Sequence, residues 1–193
     1  MIARLEAGSA RDILVPLDLG QAVRGVGDLY EALAEDQGLV LDVRTEEGLT
    51  IAGNRELIGQ ALANLVDNAL KYGAASDGTA ARVTLEAWRA GETVRLAVSD
   101  PGPGIPEAER ARVLDRFVRL EDARTRPGFG LGLSLVNAVV RLHQGTLRLS
   151  DNAPGLRVEI SFPAETGAGG ETGDIGYAPP SDSPVPAAPS RAR

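Results

Sequence analysis

No cysteine occurs in these 193 residues, so disulfides and thiolate metal sites are excluded. Aromatic residues make up only 4% of the chain, and a core must therefore be assembled from Leu, Val, Ile and Ala. Positive charge is the minority, with 20 Lys and Arg against 27 Asp and Glu and a net charge of −7. That balance argues against a general nucleic-acid surface, which needs clustered Lys and Arg, and no nucleic-acid partner is expected. Any bound phosphate must be held by local geometry. No apolar run approaches the roughly 18 to 20 residues that cross a bilayer. The opening MIARLEAGSARD is charged too early to be a secretory signal, so the segment is expected to be cytoplasmic and to make no membrane contact.

What is present is an ordinary 43% of hydrophobic residues, arranged in legible periods. Met1–Ala7 is amphipathic and closed by Gly8. Ile13–Leu17 reads as extended, with Pro16 forbidding a central strand position. Asp18 is placed to cap a helix running to about Gln37, ended by Gly38. Leu39–Arg44 alternates as a strand, and Leu49–Gly53 is its expected hairpin partner. Asn54 caps a long helix to about Tyr72. Arg82–Ala90 and Glu92–Asp100 are two strands joined at Gly91. A loop-rich stretch with short helices follows to about Gly128, then a helix from about Gly130 to His143, terminated by Gly145. Thr146–Ser150 and Leu156–Pro163 close the pattern as a hairpin around NAPG. Helices mixed with antiparallel hairpins predict an α+β fold, a two-layer α/β sandwich with a mixed, mostly antiparallel sheet and helices on one face. The expected organisation is residues 1–12 as a helix end and linker, 13–163 as one domain, and 164–193, rich in Pro, Gly and Ala, as a disordered tail.

Three stretches carry chemistry. In the helix after Asn54, the residues Ile58, Ala61, Leu62, Leu65, Val66, Ala69 and Leu70 share one broad face. Asn64, Asn68 and Lys71 fall on another, with Asp67 beside them. Asn is a weak helix former, so two at helical spacing are unusual for a solvated stripe. Paired amide oxygens suit a hard cation such as Mg²⁺, and Lys71 one turn on suits a phosphate. After the next hairpin, Asp100–Pro106 reads DPGPGIP. An Asp at a strand end accepts hydrogen bonds from an exocyclic amine such as that of adenine, and Gly102 and Gly104 permit close backbone approach. In Gly128–Val136, the alternating Gly128, Gly130 and Gly132 run into a helix whose first N–H groups make an anion site. No GxGxxG in a βαβ unit and no Gly-Lys-Ser/Thr is present, which sets aside the dinucleotide fold and the P-loop.

In order, NLVDNALKY, DPGPGI, RFVRL and GFGLGL resemble the N box, first glycine box, F box and second glycine box of sensor histidine kinases. These belong to the GHKL group, with gyrase B and the ATP-dependent heat-shock chaperones. The resemblance spans about residues 39–163 and implies the Bergerat-type ATP-binding fold, with ATP and Mg²⁺ as cofactors. It implies that Asn68, with Asn64, holds the metal, and that Asn64, Asn68 and Lys71 serve the chemistry. Lys71 and Tyr72 would lie near the phosphates and nucleotide rim, and Asp100 would accept from the adenine amine. Gly102, Gly104 and Ile105 would shape the base pocket. Phe117 would anchor a lid over the nucleotide, with Arg119 and Arg124 as phosphate or interdomain contacts. Gly128, Gly130, Leu131 and Gly132 would line the triphosphate.

Hydrolytic members of the group resemble one another in having a Glu where this chain has Asn64, which cannot take a proton. That favours phosphoryl transfer to a partner, which needs mainly positioning and charge neutralisation. The single histidine, His143, resembles a structural position at a helix end, where a charged imidazole would also suit the helix dipole. The expected acceptor is therefore a His on a dimerisation domain outside this sequence, in cis in a longer chain or in trans. A response regulator receiver domain would lie downstream, and this segment is expected to be monomeric. Met1–Ser9 resembles the end of the second dimerisation helix. The competing readings are a nucleotide-dependent binding module without transfer and a serine kinase of the anti-sigma type.

Overall fold

The computed structural model describes residues 14–73, 81–115, 118 and 131–165. The strands are β1 (Val15–Asp18), β2 (Val40–Thr45), β3 (Thr50–Gly53), β4 (Arg82–Ala90), β5 (Thr93–Asp100), β6 (Thr146–Asp151) and β7 (Leu156–Pro163). The helices are α1 (Leu19–Asp36), α2 (Arg55–Tyr72), the four-residue α3 (Glu107–Arg110) and α4 (Gly132–Leu142). A five-stranded sheet has the order β2-β4-β5-β7-β6, and β1 and β3 form a separate ribbon. Only β2 and β4 pair in parallel among the described strands; the remaining pairs are antiparallel. This is the mixed, mostly antiparallel sheet that the sequence predicts.

Alternation along the strands decides which face is covered. Val83, Leu85, Val94, Leu96, Val98, Val158, Ile160 and Phe162 are buried and join one core with the apolar faces of α1, α2 and α4. At about 25 cal/mol per Å² of apolar surface removed from water, such a core can form with few aromatics. Phe162 is the largest of its fully buried side chains. The opposite sheet face is polar and ion-paired: Arg157 reaches Glu86 at 2.7 Å and lies over the Trp88 ring, and Arg95 meets Glu159 at 3.1 Å. One covered face and one solvated face is the ordinary arrangement of an antiparallel sheet.

Local signals behave as expected at the helix starts. The Asp18 carboxylate accepts from the Gln21 N–H at 3.0 Å. The Asn54 side chain accepts from the Glu56 and Leu57 N–H groups at 3.0 and 3.1 Å. Each removes an otherwise unpaired donor of the first turn. Pro16 lies in the two-stranded ribbon, outside the main sheet.

The expected hairpin of Leu39–Arg44 with Leu49–Gly53 does not form. β2 pairs with β4, setting Leu41 opposite Val83 and Val43 opposite Leu85 beneath α1, while β3 pairs with β1. Gly48 does make a turn, with φ of 70°, but the two strands leave it for different sheets. Burial of Leu41 and Val43 against a distant strand outweighs the local turn signal. The last major helix begins at Gly132; Leu131 precedes it as the capping residue, two positions later than the glycine pattern predicts. Ala164 and Glu165, which composition assigns to the tail, donate backbone hydrogen bonds to the carbonyls of Glu92 and Thr50 at 2.9 Å each.

Candidate functional site

α2 buries Leu57, Ile58, Ala61, Leu62, Leu65, Val66, Ala69 and Leu70. That stripe leaves Asn64, Asn68, Lys71 and Tyr72 half-buried along its flank. The Asn64 amide donates to the Gln60 carbonyl one turn back at 2.8 Å, which fixes the amide plane and turns its oxygen toward α4. There the first residue of α4 is a glycine. A Cβ on Gly132 would lie 3.4 Å from Asn64 Oδ1 and 3.3 Å from Asn68 Nδ2. The glycine that opens α4 therefore faces the paired amides of α2. Among the described residues no side chain caps α4 at Leu131. The Leu131 carbonyl accepts from Ser134 Oγ at 3.0 Å, which steadies the entry to the helix.

The other end of the site is Asp100, the last residue of β5. It is buried, with 7% of its surface exposed, and burial raises its carboxyl above the ordinary value of 3.8. Backbone N–H groups of Gly102 and Leu156 oppose that rise; Gly102 N donates to Asp100 Oδ1 at 2.9 Å. An aspartate taken out of water at such cost is kept by its hydrogen bonds. The backbone around it is packed without clearance. A Cβ on Gly102 would run into the Tyr72 carbonyl at the end of α2, and one on Gly155 into the Asp100 carbonyl. Gly104, at φ 72°, lies against the Gly155 carbonyl, 2.7 Å from where its Cβ would be. Asn152 Nδ2 donates to the Asp100 carbonyl at 3.0 Å. The smallness of Gly102 and Gly104 is thus used by the protein's own chain. Ile105 packs against the core beside them, and its carbonyl accepts from Arg110 Nε at 3.0 Å. The Lys71 ammonium sits 5.1 Å from the centroid of the Tyr72 ring.

The structure thus brings together Asn64, Asn68, Lys71, Tyr72, Leu131 and Gly132 on one side and Asp100, Gly102, Gly104 and Ile105 on the other. Gly102 against Tyr72 joins the two groups. Phe117, Arg119, Arg124, Gly128 and Gly130 lie outside the described residues. Sequence reasoning missed Gly155 and Asn152, because a hairpin turn gives no sign that it will fold onto the end of a strand 52 residues earlier, as Asn152 does onto Asp100.

His143 is structural, as the sequence predicts. It is 3% exposed; Nδ1 is 2.7 Å from the Val139 carbonyl, and Nε2 accepts from the Asn54 N–H at 3.0 Å. Burial lowers its pKa below the ordinary 6.5, and the Val139 contact only partly offsets this. A nitrogen that accepts from an amide N–H carries no proton of its own, so this hydrogen bond is made by the neutral ring. It ties the end of α4 to the cap of α2, the two helices that carry the candidate site.

The chemistry of these residues suits a nucleotide with its cation: two amides meet a glycine where any side chain would crowd them, and a buried carboxylate ends β5. The model of the histidine kinase-, DNA gyrase B- and HSP90-like ATPases matches residues 53–166, more than half of the chain. The chain belongs to this family, as an ATP-binding domain of the sensor histidine kinase type. It is 35% identical over 149 residues to the sensor histidine kinase CusS of Escherichia coli O157:H7, an overlap of 76% of this chain and 30% of that protein. Its fold resembles the mycobacterial sensor histidine kinase MprB at a TM-score of 0.68 and 28% identity, covering 79% of this chain and 98% of that one. It also resembles full-length ShkA, solved in complex with AMPPNP, at 0.72 and 27%, covering 84% of this chain and 34% of that one. The chain spans about 30% of the length of the curated relatives it matches. No helix among the described residues is long and apolar enough to cross a membrane.

Proposed function

We propose that this domain binds ATP with Mg²⁺ between α2 and α4 and presents its γ-phosphoryl group to a histidine on a dimerisation domain, with a response regulator receiver downstream. The observation that carries the reading is Gly132 facing the amides of Asn64 and Asn68. The nucleotide supplies the phosphoryl group, and the cation neutralises charge on it. Asn68, with Asn64, would hold the cation through amide oxygens. Asp100 would accept from the adenine amine, Gly102, Gly104 and Ile105 would shape the base pocket, and Lys71 and Tyr72 would border the phosphates. Phe117, Arg124, Gly128 and Gly130 would complete the enclosure, with Leu131 and Gly132 offering backbone at the helix start. Asn64 has no basic atom to take a proton from water, which favours transfer over hydrolysis. His143 has both ring nitrogens engaged in the fold, so the acceptor is another histidine. The similarity of ShkA, solved with AMPPNP, supports the nucleotide class. The proposed setting is cytoplasmic.

Calorimetric titration of the chain with a non-hydrolysable ATP analogue tests this, with and without Mg²⁺. Saturable binding is expected, with Asp100→Asn weakening it by about tenfold or more, since a buried acceptor becomes a donor toward the amine. Asn68→Ala should remove the Mg²⁺ dependence. No binding by the unmodified chain would overturn the proposal. For the transfer step, the phosphate appearing on an added dimerisation domain should be acid-labile; acid-stable phosphate would assign a serine kinase.

A further inference from the structure

Arg157 ties three strands together on the sheet face turned away from the helices. Along β7, Val158, Ile160 and Phe162 are buried in the core, so Arg157 and Glu159 alternate to the other face. From there the Arg157 guanidinium passes over β5 and donates to the Glu86 carboxylate of β4 at 2.7 Å. The same nitrogen donates to Ser99 Oγ of β5 at 3.1 Å. The guanidinium carbon lies 5.6 Å from the centroid of the Trp88 ring, and Nε lies 3.7 Å from the Glu159 carboxylate. Ala97 marks the crossing. The register sets it between Glu86 and Glu159, and it is 0% exposed without being a member of the apolar core.

This clamp closes on the strand end that bears Asp100. Ser99 immediately precedes Asp100, and Leu156, immediately before Arg157, is the register partner of Asp100. Successive strand residues point to opposite faces, so Arg157 meets Ser99 on one face while the Asp100 carboxylate is turned to the other. The Asp100–Leu156 rung is the last of the β5–β7 ladder and is supported by pairing on one side only. Strand ends are where ladders fray, and a half-buried, charge-assisted hydrogen bond is among the stronger restraints a side chain offers. The aim of an acceptor matters, because hydrogen bonds weaken steeply on misalignment.

We propose that Arg157 is a positioning residue for base recognition: from the far face of the sheet it fixes the end of β5 and with it the direction of the Asp100 carboxylate. The inference rests on the nucleotide reading of the site, in which Asp100 accepts from the adenine amine. It is tested by titrating the parent and Arg157→Gln with the non-hydrolysable ATP analogue and with its purine riboside counterpart, which lacks only the exocyclic amine. The parent prefers the adenine analogue. In Arg157→Gln affinity for the adenine analogue falls about three- to tenfold while affinity for the purine analogue is unchanged, so the preference shrinks. Ser99→Ala removes one hydroxyl and keeps the Glu86 contact; it gives a smaller loss of the same kind and reads the clamp should Arg157→Gln not fold. In an Asp100→Asn background, Arg157→Gln has no further effect on the preference. A parental preference retained in these variants would overturn the inference. So would equal loss for both analogues, which marks general loosening. A parent that binds neither analogue brings down the reading of the site, and one that binds both equally removes Asp100 as the base acceptor; the inference falls with either.

Discussion

Around Asp100 the protein's own backbone closes on the glycines, whereas at Gly132 the close neighbours are the side-chain amides of Asn64 and Asn68. A Cβ on Gly102 or Gly155 would overlap a carbonyl of Tyr72 or Asp100, while one on Gly132 would stand 3.3–3.4 Å from two side-chain amides. The first end is rigid because backbone meets backbone. The second end is adjustable because its nearest neighbours are side chains. The proposed nucleotide site, with a flat base at one end and phosphate charge at the other, would be served by this division.

The sharpest way to break the comparison is Gly155→Ala. Its φ of 114° is strained for any side chain, and the added carbon would run into backbone atoms of Asp100 and Pro101. A loss of about 3 kcal/mol or more is expected in urea unfolding, enough to abolish folding in a marginal domain. A midpoint near that of the parent would mean that the Asp100 end is not backbone-locked. Gly132→Ala should do the opposite. Alanine in place of glycine favours a helix by up to about 1 kcal/mol, so thermal stability should hold or rise slightly. Binding of the ATP analogue with Mg²⁺ should nevertheless weaken several-fold, about 1 kcal/mol, as the amides shift by a few tenths of an ångström. Unchanged affinity would show that the room beside Gly132 is not used.

The smallest effect distinguishes the two buried titrating groups by sign. His143 is held below 6.5, so on acidification the unfolded chain takes up a proton first. Its contribution to stability is full above about pH 6.5 and falls as the pH drops from there toward the lowered folded value. The loss between pH 7.5 and 5.5 is at most about 1.4 kcal/mol, and His143→Gln should flatten that part of the profile. Asp100 runs the other way: its carboxyl is raised above 3.8, so its contribution is full below that pH and is lost as the pH rises through the raised value. A profile that His143→Gln leaves unchanged would remove His143 as the source.

The legibility of the chain followed the range of the interaction. Asp18 and Asn54 were readable as caps because cap and capped groups lie within three residues. The stripe of α2 and the alternation of β4, β5 and β7 were readable because burial repeats at the period of the element. The pairing of β2 was not, since a local turn at Gly48 imitates a hairpin while the register that buries Leu41 and Val43 is set by residues 82–87. The amides of Asn64 and Asn68 were legible as a pair, but nothing near them in sequence gave a sign that Gly132 would face them. Nor could a lone histidine announce that its partner would be the backbone N–H of a helix cap.

The parallel pairing of β2 with β4 reaches into folding itself. Antiparallel neighbours can zip from a turn, but β2 can meet β4 only after the chain between them has been laid over the sheet, and that chain includes α2. The pairing of the outermost strand on that side is therefore tied to the placing of the helix that bears Asn64 and Asn68. Amide exchange along Val40–Thr45 would then report, from the far margin of the sheet, whether α2 is seated.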